Sequence, residues 1–389
     1  MLRLLSLLFF IFPLFAEEIP KRCSSSVNCK SCHSHIVKDW QRSWHAKSHA
    51  SSNEYYRKTL EYVAQKRYKN VDIIQLECTA CHSPRIGITK IDQSESLAHA
   101  FGMEDVNTEL GQAIEAETLK EGINCIVCHK IEAIHSEKDT TLRGNNMLTW
   151  LKAGVIGGPY KDSASSFHKS TQQRFFNNPD KLCLVCHDNM KNSLGLTIAD
   201  TGSEYRSIAK KKLCVDCHMS EKQDGYAALV PDTNGVKKKR KIRRHLFAGG
   251  HSKKSLRNAL TVSTKEEGQK LFVTLHNPNP HAIPTGFGGR EIIVEVKYKN
   301  GYSKMQSLTA HYKSRRGRPT IPHLAKKQDT SEHIKAMDKK VLEFITDKDT
   351  KPVEVMVWFK LVNDEIADIL QLKEKQWQEK KLIVRQNIK

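Results

Sequence analysis

Ten cysteines and five histidines of the chain recur in one spacing. They form Cys29-Lys30-Ser31-Cys32-His33, Cys78-Thr79-Ala80-Cys81-His82, Cys125-Ile126-Val127-Cys128-His129, Cys183-Leu184-Val185-Cys186-His187 and Cys214-Val215-Asp216-Cys217-His218. Two thiols at this spacing add to the two vinyl groups of a porphyrin, and the adjacent imidazole reaches its iron; C-x-x-C-H is the attachment signature of c-type haem. One copy would also suit a thioredoxin-like redox pair or a zinc site, but five copies in one chain favour haem. The reading is five haem c groups. Thioethers fall to Cys29, Cys32, Cys78, Cys81, Cys125, Cys128, Cys183, Cys186, Cys214 and Cys217. The proximal iron ligands are His33, His82, His129, His187 and His218. Cys23, the eleventh cysteine, has no motif to join; it is read as a free thiol in an N-terminal segment or as a link to a partner.

The motifs leave roughly 38 residues of chain per haem, too few for five separate single-haem domains. The macrocycles must therefore pack on one another and replace much of an ordinary apolar core. Short helices and loops should hold them, with helices expected at 54–69, 108–121 and 204–212. No cysteine follows Cys217, and beyond His218 the pattern changes. A basic run, Lys237 to Arg244, precedes alternating apolar and polar stretches at 259–264, 270–276, 291–298 and 353–362, the period of half-buried strands. The stretch 364–381 is amphipathic and reads as a terminal helix. The expected class is α+β: a haem-packed domain of short helices and loops, then a small antiparallel, sandwich-like β domain ending in a C-terminal helix. The expected division is a signal peptide at 1–16, a pentahaem domain at 17–225, a basic linker at 226–257, and the β-rich region at 258–389.

Residues 1–16 hold one positive charge at Arg3 and an apolar run from Leu4 to Phe15 interrupted by Ser6. That is the form of a cleaved secretory signal, with cleavage expected after Ala16 and the mature protein in the periplasm. A multi-span membrane protein is excluded, because this is the one long apolar run. Intrinsic disorder is excluded by a hydrophobic content of 39%. The formal charge of +20 would otherwise point to nucleic acid, which export argues against. Haem propionates offset part of it: five haems bring the mature chain to roughly +14 oxidised and roughly +9 reduced. The remaining surplus favours acidic redox partner proteins or an anionic membrane surface. The basic run 237–244 is read as a solvated loop, with docking to an acidic partner and contacts to propionates as alternatives. The oligomeric state is open.

The first motif is followed by Trp40, Ser43, His45 and Ala46, and the third is preceded by Glu121-Gly122-Ile123-Asn124. Gly158-Pro159 stands ahead of Phe167-His168, and Met219 follows the fifth motif. Later come Arg244-His245-Leu246-Phe247-Ala248-Gly249-Gly250-His251-Ser252 and His281-Ala282-Ile283-Pro284-Thr285-Gly286. In their order, over residues 23–300, these stretches resemble the multihaem c-type cytochromes of the nitrifier tetrahaem cytochrome and hydroxylamine oxidoreductase-related family. The chain departs from the tetrahaem pattern by a fifth motif and a β-rich C-terminal region. In such proteins the histidines outside the attachment motifs supply distal iron ligands. The resemblance therefore implies His45, His168, His245, His251 and His281 as distal candidates. His49, four residues after His45, is the alternative on the same face of a helix. His35, His99, His135, His276, His311, His323 and His333 are read as surface or locally hydrogen-bonded groups.

A haem iron with two histidines is an electron-transfer centre, and one with a single protein ligand is open to substrate. Five distal candidates for five proximal histidines favour electron transfer through mostly bis-histidine haems, with no catalytic residue assigned. The alternative is a multihaem oxidoreductase with one open haem acting on a small nitrogen or sulfur compound. If His281 ligates, an iron bond staples the β-rich region to the haem domain.

Overall fold

The computed structural model describes residues 25–86, 109–136, 142–209, 212–346 and 351–388. The signal segment 1–16, Cys23 and His99 lie outside the described residues. The first three helices are α1 (Ser26–Gln41), α2 (Glu54–Arg67) and α3 (Val71–His82). Each starts at a side chain that accepts from a backbone N–H of the first turn: Ser25 from Val27, Asn53 from Tyr56 and Asn70 from Asp72. Such caps satisfy donors that the helix itself leaves open. α2 stops at Arg67 and not at residue 69, because Tyr68 takes a left-handed φ of 53°. The helix expected over 108–121 is two pieces, Glu109–Ile114 and Glu117–Lys120, parted where Ala116 turns to ψ 128°. The third expected helix lies earlier in the chain, at Thr201–Arg206, because Asp200 caps it by accepting from Ser203 N.

Up to residue 242 the strands are short two-stranded ribbons, such as Ile131–Ile134 with Leu148–Trp150 and Gln223–Tyr226 with Lys239–Ile242. The last ribbon takes up part of the segment 226–257 that was expected to be a linker. Beyond residue 260, besides a two-stranded ribbon of Ala310–Lys313 with Lys327–Ser331, two larger antiparallel sheets form. One has the order Lys339–Ile345, Lys270–His276, Thr261–Glu267; the other has Ser303–Leu308, Glu291–Tyr298, Pro352–Lys360, Lys381–Asn387. Period-2 alternation in Lys270–His276 buries Leu271, Val273 and Leu275 completely. They share one apolar core with Ile292, Val294, Val296, Val355 and Val357 of the other sheet, the inner face of a sandwich. The α+β class holds, with strands at or near the expected positions.

The end of the chain differs from its expectation. The amphipathic stretch gives two short helices, Asp364–Ile369 and Lys375–Gln378, and the last element is the strand Lys381–Asn387. Gln371 at φ 52° ends the first helix. Leu370, Leu372 and Trp377 fold into the sandwich core. The apolar run Leu382-Ile383-Val384 then pairs antiparallel with Pro352–Lys360, where β-branched residues fit a pleated, half-buried surface.

The β layers do not keep their core to themselves. Tyr56, Leu60, Val63 and Ala64 of α2 and Ile74 of α3 belong to the same apolar cluster. The buried Glu54 carboxylate accepts from the backbone N–H groups of Lys373 and Glu374 at 2.9 Å each. Segments adjoining the second motif thus pack directly on the β-rich region. No helix among the described residues is long and apolar enough to cross a membrane.

Candidate haem-binding site

The five attachment motifs sit on helices. The first lies in α1, the second ends α3, the third and fifth are the one-turn helices Cys125–His129 and Cys214–His218, and the fourth begins in Asp180–Leu184. Where the motif is helical, the spacing puts the two cysteines one turn apart and the histidine on the same face, the arrangement that attachment to one macrocycle requires. Side chains beside the motifs bind these helices to one another. Glu121 accepts from Ser26 N of α1 at 2.9 Å and from Asn124 Nδ2 at 2.7 Å. Asn124 in turn caps the third motif through Ile126 N at 3.2 Å. Burial opposes ionisation of Glu121, but the bonds from Asn124, Ser25 and Ser26 outweigh it and hold the carboxyl below its ordinary value. Asp180, at the fourth motif, accepts from Cys214 N of the fifth at 2.9 Å and from Tyr205 OH at 2.5 Å.

All five motifs line one cavity of about 2350 Å³. A drug-sized pocket is about 300–1,000 Å³, so this space suits several large flat groups. Four motif histidines turn Nδ1 to a backbone carbonyl: His33 to Ala227 at 2.7 Å, His82 to Ser48 at 3.0 Å, His129 to Gly157 at 2.7 Å, and His218 to Ala248. With Nδ1–H donating there, Nε2 keeps its lone pair for a metal.

Three motif histidines face a candidate distal histidine. The ring centres of His187 and His45 are 6.3 Å apart, those of His129 and His245 6.4 Å, and those of His218 and His281 6.3 Å, with planes inclined by 27°, 23° and 30°. Two metal–imidazole bonds of about 2 Å, plus roughly 1.2 Å from each ring nitrogen to its ring centre, give about 6.4 Å. The separations are those of two imidazoles on opposite sides of one iron. His245 and His281 also turn Nδ1 to carbonyls, of Arg243 at 3.2 Å and Ala282 at 3.0 Å. The residues present therefore fit haem c in their thiols, in their paired imidazoles and in the volume between them. Burial pushes His45 down to about 3 and His187 and His245 down to about 4, so these rings are neutral at physiological pH.

His45 and His49 are separated by local structure. His45–Lys47 is a 3-10 turn and not part of an α-helix, so the two histidines do not share a face. His49 is buried and spends both nitrogens on protein: Nδ1 accepts from Ser51 N at 3.2 Å, and Nε2 lies 3.3 Å from both Ile114 O and Gln75 Nε2. The His45 turn is held by Ile123 N donating to His45 O at 3.0 Å. Gly122 permits that approach. Its φ is +63°, and a Cβ there would stand 2.7 Å from His45 O.

The other two distal candidates are placed differently. His168 lines the cavity; it and His33 are the two histidines whose charges act on His129. His251 also lines the cavity, but its ring neighbour is Trp44 at 6.2 Å, and the charges acting on it come from Lys381, Arg290, Lys47 and His218. His82 has the ring of Tyr56 stacked on it at 4.1 Å and 14°. His323, read from sequence as a surface or locally bonded group, lies in the cavity wall, pushed down to about 4 by burial and by the charge of His82. No motif marks it: only the fold brings the turn Pro322–Leu324 to α3. His311, His276 and His333 are locally bonded as expected, to Glu365, Thr261 and Ser331.

Neighbouring motifs meet through their sulfurs. Cys125 lies within hydrogen-bond reach of Cys29, Cys81 of Cys186, and Cys214 of Cys183, while Cys128 feels the charge of Cys183. The histidines repeat the pattern: His33 acts on His129, and both His82 and His218 act on His187. In space the motifs run first–third–fourth–fifth, with the second beside the fourth.

The basic run is not wholly a loop, since Lys239–Ile242 is a strand; Lys237, Lys239, Lys241 and Arg244 stay exposed, and five of its seven cations pair with aspartates. Arg240 and Lys238 pair with Asp162 at 2.6 and 3.4 Å, Lys241 with Asp224 at 3.0 Å, Arg243 with Asp216 at 2.6 Å and Arg244 with Asp39 at 2.5 Å. Lys237 sits over the Tyr226 ring at 4.9 Å.

Residues 28–110 match the family model described as cytochrome c554 and c-prime. No curated protein matches the chain. Among solved structures, the chain is similar to a penta-haem cytochrome c552 from Thermochromatium tepidum, with a TM-score of 0.67 and 19% identity over 94% of this chain and 98% of that one. At that identity the likeness is one of fold. Together the two findings support a multihaem c-type cytochrome, a class whose chemistry is electron transfer.

Proposed function

We propose that this chain is an exported electron-transfer protein of the periplasm carrying five haems c, one at each attachment motif. The observation that carries the reading is the set of three histidine pairs, 45/187, 129/245 and 218/281, each at the separation of two ligands on one iron. The penta-haem neighbour and the five-lobed cysteine pattern support the count. His168 is proposed as the distal ligand at His33: both line the cavity, and the charges of both lower His129. The leader-like residues 1–16 support export.

Bound haem supplies reversible one-electron iron chemistry. The protein's own work is to hold the rings and set their surroundings. Backbone carbonyls fix the proximal imidazoles, and burial keeps the distal ones neutral. The motif contacts give a path first–third–fourth–fifth with a branch at the second. Phe247 lies 4.3 Å from His45 and 6.1 Å from His245, centre to centre, and so packs between distal ligands of the fourth and third sites. The positive surplus favours acidic redox proteins or an anionic surface at the ends of the path. Five of the seven cations in the run 237–244 pair with Asp39, Asp162, Asp216, Asp224 and Asp232, so the run keeps only a small surplus of its own for docking.

A second reading rests on His82. Its ring packs on Tyr56, and three of the five candidate distal histidines pair elsewhere. A haem there with one protein ligand would be open to a small nitrogen or sulfur compound, with the path feeding it. Haem quantitation with EPR of the oxidised protein decides. Five haems, all low-spin, refute the enzyme reading. A high-spin signal worth one haem refutes the pure carrier, and fewer than five haems refutes the attachment reading.

A further inference from the structure

The loop between strands Lys270–His276 and Glu291–Tyr298 brings more than His281 to the cavity. It also delivers Arg290, which lines the cavity together with the motif residues. Arg290 Nη1 donates into the turn just after His281, at Thr285 O, and the Arg290 charge lowers His187, His251 and His281. Its backbone is fixed at both ends: its N–H donates to Phe287 O at 3.4 Å, and its O accepts from Thr309 Oγ1 at 3.0 Å.

What Arg290 lacks is an anion. Nη1 donates to Thr285 O at 2.8 Å, and among the described residues no carboxylate pairs with it. A guanidinium has five N–H donors, and an enclosed cation without a counter-charge is costly. The carboxylate that this loop does hold, Glu204, is committed elsewhere: it accepts from Ala282 N at 2.9 Å and Thr285 Oγ1 at 2.7 Å. Glu291, next in the chain, shares its surroundings with Lys360, Asp364 and His311. Room has been left for the guanidinium. Gly286, at φ +77°, would with a Cβ stand 3.3 Å from Arg290 Nη1.

We propose that Arg290 is the anion-binding residue of the fourth and fifth sites, pairing with a haem propionate carboxylate there and thereby raising the reduction potential of the haem that carries it. The proposal rests on the five-haem reading above. A fixed positive charge disfavours the ferric state relative to the ferrous one, and it holds the propionate ionised. Arg suits the role because its planar fork takes a carboxylate with two bonds.

The test is a redox titration of the five-haem protein, followed optically and by EPR, for Arg290→Gln and Arg290→Lys. Haem content and low-spin signals should match the parent. In Arg290→Gln one or two of the five midpoints should move negative, with a stronger dependence on pH as the propionate loses its partner. Arg290→Lys should show a smaller shift of the same sign, and it serves as the test if the Gln variant does not accumulate. Unchanged midpoints in the available variants overturn the proposal. Parent midpoints that shift with added acetate, while the variant's do not, assign the site to a soluble anion and overturn the propionate pairing. A haem count below five in the parent overturns the underlying reading instead, so the two failures are distinguishable.

Discussion

Replacing His281 by alanine tests the link between the β-rich region and the haem path. The imidazole stands 6.3 Å from that of His218, centre to centre, with Nδ1 on Ala282 O. Its loop is anchored without it. Asn277 Nδ2 donates to His281 O at 2.8 Å, Ile334 O at 3.1 Å and Lys335 O at 2.9 Å, and Glu204 holds Ala282 N and Thr285 Oγ1. The backbone contacts do not involve the imidazole, so the loop should keep its place and the loss should fall on one iron. One haem in five, the one at Cys214 and Cys217, should turn from low-spin to high-spin. Beyond the iron bond, truncating this half-buried ring should cost about 1–3 kcal/mol of stability. The assay is EPR of the oxidised protein with spin quantitation against total haem. His281→Met gives the complementary result: the haem stays low-spin and its potential rises, as thioether ligation does. A His281→Ala spectrum identical to the parent would refute the ligand assignment and remove the iron link. Conversion of more than one haem would show that the loop had moved, and with it the argument for its independent anchoring.

Gly122→Ala should displace the His45 turn, since the new Cβ needs a left-handed φ and meets His45 O at 2.7 Å. A loss of about 1–3 kcal/mol in thermal or denaturant unfolding, with a high-spin fraction at the fourth haem, is expected; a parent-like melting curve contradicts it. Acid should act through the histidines. Their folded values, about 3 for His45 and about 4 for His187 and His245, lie below the unfolded value of about 6.5. The unfolded chain therefore binds more protons below that pH, and stability falls as pH falls until the folded values are passed. Denaturant midpoints measured from pH 7 to 4 should decline; a flat profile counts against buried neutral rings. Glu54→Gln halves the acceptor capacity facing Lys373 N and Glu374 N and should cost about 1–2 kcal/mol, read as a lower guanidinium midpoint with the haem spectrum unchanged. An altered spectrum with an unchanged midpoint would place Glu54 in the haem site instead.

The C-x-x-C-H motifs were legible because they are local. Two thiols and an imidazole within five residues are held together by one helical turn wherever the rest of the chain goes. Strands 270–276 and 291–298 were legible for a similar reason, since alternation along a strand records which face is buried. The C-terminal helix was misread because the amphipathic pattern is cut at Gln371, and because Leu382-Ile383-Val384 prefers a partner strand that sequence does not show. His323 was passed over because nothing in its neighbourhood in the chain distinguishes it.

Sequence alone therefore determined the number of C-x-x-C-H motifs and the α+β class, both set by residues near one another in the chain. Only the tertiary structure decided which histidine faces which. The partners of His187, His129 and His218 come from residues 45, 245 and 281, and separations that long are fixed by packing. It also decided the fate of the charges. Five of the seven cations in the basic run are paired with aspartates, while Arg290, unremarkable in sequence, lines the cavity with no carboxylate partner among the described residues. Charge is a property of a residue, but whether that charge is balanced depends on the whole fold.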